Sequence, residues 1–362
     1  MRHRSFLVAG STHRLYLPSL DGARGLAILL VMLDHLSSAK IIPLHCLRGI
    51  GHIGVYLFFS LSAFLLTVPF WLKSKESLMQ SKTWSIYFWR RFLRIYPLYI
   101  FVLIAERYTG TGFSWASIGN HLLLRRGEGV FWTLEIEAKY YVILPLIVLT
   151  FIVAWRRNAT LGAICAFGLT GFLFILFYAE GRWWSLDGHV LRPYFLVFIL
   201  GSIAGSLFAF MILCPPRSRS LRWCCEVAAI GAFVSSFFPL PEILRLLPKA
   251  LTPGWHESIV LSGLFWAVFI LAHLHGVGFV KHLLEWKPLR YLGLISYSLY
   301  LWHKPVIDSF SLVNQSGRLP LGAYWPVRTI AILGACIMAA SLSFFLVERP
   351  FSKLKAGFTR SL

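Results

Sequence analysis

The chain has 362 residues, 57% of them hydrophobic and only 14% charged, with a mean hydropathy of +0.68. Soluble globular chains carry about 25% charged residues, so this composition cannot clothe a water-soluble domain and excludes soluble enzymes and binding modules. The net charge of +20 does not indicate a nucleic-acid partner, because the basic residues sit in short clusters between apolar runs, where they set topology and attract anionic lipid headgroups.

Apolar runs of about 17–25 residues, each long enough to cross roughly 30 Å of hydrocarbon, recur along the whole chain. They lie at 22–38, 52–72, 93–107, 135–155, 160–179, 191–214, 223–240, 258–275, 289–311 and 326–347. The expectation is an all-α, polytopic membrane bundle of about ten transmembrane helices, because a barrel would show short alternating segments instead. Lys and Arg crowd alternate loops: Arg2, Arg4 and Arg14, then Lys73 through Arg94, Arg156 and Arg157, Arg217 through Arg222, Lys281 through Arg290, and Arg349 through Arg360. The positive-inside rule then puts both termini in the cytoplasm. Domain expectations follow: a cytoplasmic segment over 1–20, the ten-helix domain over 21–351 and a basic cytoplasmic tail over 352–362. The longest loops are too short for a soluble domain. The first run is not a cleaved signal peptide, since it carries Arg24, Asp34 and His35. The six cysteines, scattered and without metal-type spacing, read as small core hydrophobes.

Charge inside a membrane is costly, so each ionisable residue in a span is a candidate for function. Arg24 and His35 are eleven residues apart, nearly three helical turns, so they share a face about 16 Å apart along the axis. Snorkelling of Arg24 and packing of His35 is the bland alternative. Asp21 suits a helix N-cap as well as a cavity. In Tyr87-Phe88-Trp89-Arg90-Arg91-Phe92-Leu93-Arg94-Ile95-Tyr96-Pro97, Arg91 and Arg94 are neighbours on one face. They suit either bidentate phosphate binding or plain headgroup contact. After Trp132, Glu135 can pair with Lys139 at i,i+4, leaving Glu137 a face of its own from which to orient an imidazole or accept a proton. Ser296 through Pro305, with Tyr297, Ser298 and His303, reads as a polar cavity wall or as interhelical hydrogen bonding. His273 and His275 point to different faces and make a poor metal pair, and no metal site is expected. Phosphate-loop, dinucleotide, nucleophile-elbow and zinc-protease motifs are absent.

These segments, taken in order, resemble the membrane acyltransferase-3 family, whose members acylate surface sugars and some small molecules. The likeness runs from about residue 17 to 351. It is carried by Leu20-Asp21-Gly22-Ala23-Arg24-Gly25 with His35, by Gly54 through Leu65, by Arg91 and Arg94 with Pro97, by Trp132-Thr133-Leu134 through Glu137, by Gly293 through Pro305, and by Val347-Glu348-Arg349-Pro350. Ala63, Ala138, Lys139 and Lys304 depart from the usual pattern, which touches the acceptor side more than the donor side. No hydrolase-like domain of the kind some members carry follows within this sequence, so the chain is expected to act alone or to hand its product on.

The resemblance implies an O-acyltransferase in the cell (plasma or inner) membrane. Its co-substrate is acetyl-coenzyme A or another acyl-coenzyme A, with no permanently bound cofactor, and its acceptor is a carbohydrate or lipid-linked carbohydrate. In that scheme Arg91 and Arg94 hold the donor's phosphates and Arg24 guides its arm or steadies the thioester. His35 is the general base, with a transient acyl-histidine as an alternative, and Glu137 orients the imidazole or the acceptor. Trp132, Trp183 and Trp184 either stack on sugar rings or form an interfacial belt. The competing class is a secondary transporter or flippase of a glycolipid or small anionic solute. No repeat symmetry is evident, and arginines cluster at one mouth rather than at a midplane site.

Overall fold

The computed structural model describes residues 16–108, 113–125, 127–158, 191–213, 218–238, 255–315 and 325–358, with a few more between 160 and 171. Among the described residues every regular element is helical. The long helices are α1 (Pro18–Ser38), α2 (Ile50–Trp71), α3 (Ser81–Tyr108), α4 (Trp132–Arg157), α5 (Leu191–Leu213), α6 (Arg219–Ser235) and α7 (Trp255–His275). After the short helix Phe279–Leu284 come α8 (Lys287–Leu294), α9 (Ser296–Gln315) and α10 (Trp325–Ser343). Most of the run at 160–179, and Trp183 and Trp184, lie outside the described residues.

Four helical stretches among the described residues are long and apolar enough to cross a membrane: Ile50–Trp71, Gly129–Arg157, Tyr194–Ile212 and Trp325–Leu354. A shorter apolar helix spans Ile259–His275. The sequence expectation was about ten spans, and the difference has a physical source. Helix α1 carries Asp21, Arg24 and Asp34, and α3 carries Arg90, Arg91 and Arg94. These helices hold the charges that the bundle must bury, so length and apolarity alone do not single them out. The outer face of α10 is the converse case. Ile330, Met338, Leu342 and Leu346, spaced by four or eight residues, are all exposed and apolar. A row of that kind suits hydrocarbon, not water.

Helix α2 is central. It packs on α1, α4, α5 and α7 and buries Leu57, Phe59, Leu61, Ala63 and Phe64. Helix α1 lies so close to the segment after α7 that side chains are excluded at the crossing. A Cβ on Gly22 would sit 1.7 Å from the Leu284 carbonyl oxygen, and one on Gly293 would sit 1.7 Å from that of Asp21. Small residues at such crossings let backbones touch.

Three expectations are corrected. The run at 289–311 is two helices, because the chain turns at Ile295 between α8 and α9. Asp21 does not cap α1: the helix begins at Pro18 after Leu17, and the Asp21 carboxylate accepts a bond from Tyr16 Oη at 2.8 Å. Among the described cysteines only Cys336 is buried, while Cys46 and Cys224 are exposed on the chain's surface. The last long helix also departs from regularity: a π turn at Phe344–Glu348 follows α10, and the helix Arg349–Phe358 continues from it.

Gly22→Val or Gly293→Val is expected to cost about 1–3 kcal/mol through overpacking, read as a lower melting temperature of the detergent-solubilised chain. An unchanged melting temperature would mean that the two backbones are not in contact.

Candidate active site

Helix α2 serves as a ruler for the site. At 1.5 Å per residue, Ser62 lies about 15 Å and Lys73 about 31 Å along the axis from His52. Three groups of polar side chains sit at these three levels.

At the His52 end is a cluster of imidazoles. The rings of His35 on α1 and His303 on α9 meet edge to face with centroids 4.8 Å apart. His35 Nδ1–H donates to the Val31 carbonyl at 2.9 Å, and His303 Nδ1–H donates to that of Tyr300 at 2.6 Å. A carbonyl can only accept, so each ring keeps its Nε2 as a lone-pair acceptor. His303 is fully buried, and its Nε2 has no partner among the described residues. Asp34 is occupied in joining α1 to α2, because its carboxylate accepts the Gly49 N–H at 2.7 Å. Beside this cluster, Trp132 packs on Tyr194, His52 and Phe59 at 4.9, 6.4 and 6.2 Å between centroids.

At the Ser62 level a small cavity of ≈ 60 Å³ opens between α1, α2, α4 and α9. Arg24, Ser62, Glu137, Ser296, Tyr297 and Tyr300 line it, with apolar residues between them. Glu137 accepts hydrogen bonds from Ser62 Oγ at 2.6 Å and from Tyr141 Oη at 2.5 Å. Glu135, on the other side of α4, is held by Lys139 and by the Gly127 N–H. The guanidinium of Arg24 has no ion-pair partner among the described residues, so the cavity has a free cation facing a carboxylate already held by two hydroxyls. The structure therefore groups Glu137 with Arg24 rather than with His35. The link between the levels is Tyr300, which lines the cavity and packs 5.5 Å from His303.

At the Lys73 end lies a larger cleft of ≈ 330 Å³, bordered by the end of α2 and the start of α3. Lys73, Lys82, Arg90 and Arg91 line it, over a floor that includes Leu66, Phe70 and Tyr87. Arg91 also stacks over Tyr141, 5.6 Å from the ring centroid, and Tyr87 Oη donates to the Tyr141 carbonyl at 3.1 Å. A continuous set of contacts thus leads from the cleft through Arg91 and Tyr141 to Glu137.

Arg94 has a different situation from Arg91. It forms an ion pair with Glu348, which is 3% exposed, and lies over the Tyr297 ring at 5.1 Å. Ser298 Oγ donates to the same carboxylate at 2.9 Å, and Tyr297 Oη donates to the Ile95 carbonyl at 2.7 Å. Ser298 and Arg94 therefore join α9 and α3 to the π turn. Asp21 stays apart from all three groups, bound to Tyr16, which in turn accepts from Arg290 at 3.0 Å. Among the described residues no three His, Cys, Asp or Glu side chains are placed to hold a metal.

Several contributors escape a reading of the sequence. Ser62 reaches Glu137 across 75 positions, with no local signal. Tyr141 is an i+4 neighbour of Glu137 and could be found by helical spacing. Glu348 is a lone carboxylate ending an apolar run, and such a group calls for a buried cation.

An all-helical membrane protein with an ionisable cavity between its helices is the class that this fold and site define. The chain belongs to the acyltransferase-3 family: the family model, an acyltransferase domain, matches residues 17–347. Similar proteins include the peptidoglycan O-acetyltransferase OatA of Listeria monocytogenes, 25% identical over 94% of this chain and 56% of that protein. The putative peptidoglycan O-acetyltransferase YrhL of Bacillus subtilis is 24% identical over 93% of this chain and 55% of its own length. The O-acetyltransferase OatA of Staphylococcus aureus is 24% identical over 93% and 57%. The chain spans a little over half the length of these relatives. No solved structure matches it.

Removing one partner of a buried ion pair costs about 3–5 kcal/mol, and the partial exposure of Arg94, 21%, moves the expected loss toward the low end. Arg94→Leu and Glu348→Leu should each lower the melting temperature, and the double variant should recover much of the loss. Additive losses in the double variant would mean that the two side chains do not depend on each other.

Proposed function

We propose that this chain is an O-acyltransferase of the cell membrane that moves an acyl group, acetyl first, from cytoplasmic acyl-coenzyme A to a sugar hydroxyl. The acceptor is a surface polysaccharide, a lipid-linked oligosaccharide or a glycoside, and the names of the relatives favour peptidoglycan. The chain is multi-pass, with about ten helices and both termini in the cytoplasm, as the Lys and Arg bias supports. The observation that carries the reading is the cavity shared by Arg24, Ser62 and Glu137, set between a basic cleft at one end and paired imidazoles at the other.

In this reading the donor enters from the basic end. Arg91 meets its phosphates, and Arg94, already paired with Glu348, supports that wall. The arm passes Tyr141 and lies in the cavity, where Arg24 steadies the thioester carbonyl. His35 Nε2 takes the proton of the acceptor hydroxyl, whose oxygen attacks the carbonyl carbon. The carbon–sulfur bond breaks, and the proton passes from His35 to the thiolate. Glu137 holds the charge of Arg24 in place during the transfer. Tyr297, Ser298 and His303 form the wall along which the acceptor meets the acyl group, and Trp132 offers an aromatic face at its entrance.

The test is transfer of labelled acetyl from acetyl-coenzyme A into the envelope glycan fraction. Loss of a general base lowers a rate by about 10²–10⁴-fold, so His35→Ala should lose label by that factor at equal membrane abundance. Glu137→Gln, which keeps the shape and removes the charge, should fall less far. Equal label in wild type and His35→Ala removes the imidazole from the mechanism, and no label in either, without coenzyme A binding, returns the transporter reading.

A further inference from the structure

The cleft at the Lys73 end has a composition that the proposed chemistry above uses only through Arg91. Its ≈ 330 Å³ falls at the lower bound of ligand sites, about 300–1,000 Å³. Four cationic residues line it from two elements, Lys73 after α2 and Lys82, Arg90 and Arg91 on α3, and no carboxylate is among the lining residues. Lys73 and Lys82 form no ion pair among the described residues. The Arg91 Nε is buried and has no hydrogen-bond partner among them. Like charges gathered without counter-charge repel one another, and a buried N–H left unbonded costs free energy. Both costs are relieved by an anion with several oxygen acceptors. The apolar floor of Leu66, Phe70 and Ile86 suits the uncharged part of such a ligand.

We propose that this cleft is a phosphate-binding subsite in which Lys73 and Lys82, together with Arg91, hold the phosphoryl groups of an amphiphilic ligand. It rests on the acyltransferase reading for the favoured source of those groups, the polyphosphate end of the acyl donor. An anionic lipid headgroup offers the same chemistry. The inference also revises the division of labour expected from the sequence: Arg94 is committed to Glu348, and the two lysines take its place at the phosphates.

The experiment uses the full chain in nanodiscs of neutral phosphatidylcholine, with adenosine 3′,5′-bisphosphate as the probe and equilibrium dialysis as the readout. A charge-assisted hydrogen bond contributes about 1.5–3 kcal/mol, so each lysine removed should weaken binding by about tenfold or more. Lys73→Gln with Lys82→Gln should abolish measurable binding. Lys75→Gln, a neighbouring lysine that does not line the cleft, should leave it unchanged. A second arm measures phosphatidylglycerol carried through purification from mixed membranes. Retention by wild type and loss in the double variant, without bisphosphate binding, supports the subsite with lipid as the source. Absence of both effects, or equal effects in the Lys75→Gln control, overturns the subsite. Acetyl transfer by the double variant at unchanged donor KM would overturn the donor source while leaving the acyltransferase reading intact.

Discussion

Two carboxylates buried among apolar helices constrain everything around them. A bare carboxylate in such a place carries a large desolvation penalty, so each must be met by donors from other helices. Glu137 is met by Ser62 from α2 and by Tyr141 from its own helix. Glu348 is met by Arg94 from α3 and Ser298 from α9. These bonds do more than relieve a cost. They fix the rotation and height of α2, α3, α4 and α9 relative to one another, and the cavity walls are the residues left facing inward once those settings are made.

The glycine crossing sets the remaining helix. Where Gly22 and Gly293 let α1 rest on its neighbour, Arg24 is carried to the cavity and His35, three turns on, to the His303 ring. The same backbone contact thus determines where a cation and an imidazole stand. Packing and chemistry are not separable in this part of the chain, and substitutions far from either group act on both.

How much of this was legible beforehand varied with the range of the interaction. Helices over the apolar runs, the shared face of Arg24 and His35, and the pairing of Glu135 with Lys139 all follow from periods within one helix. The break at Ile295 did not, because nothing in its neighbours' apolar pattern marks it, and the close approach of Asp21 to Gly293 is a tertiary contact. Arg94 was read with Arg91 because they are three residues apart, but its partner is more than 250 positions away. Spacing shows which side chains share a face. It does not show what that face meets. The likeness to a family located the important segments, and the geometry then divided their residues among a cleft, a cavity and a pair of rings.

The π turn at Phe344–Glu348 bears on how this end of the chain can vary. A π turn holds one residue more than an α turn over the same rise. Deleting a single residue there would restore a regular helix and leave its apolarity and reach nearly unchanged, yet everything beyond would rotate by about 100°. Glu348 would then leave Arg94. Alignment by hydropathy would not see the change, since the ion pair depends on residue count and not on residue type. The segment from Phe344 to Glu348 is thus intolerant of length change in a chain whose other helix ends have room to slide.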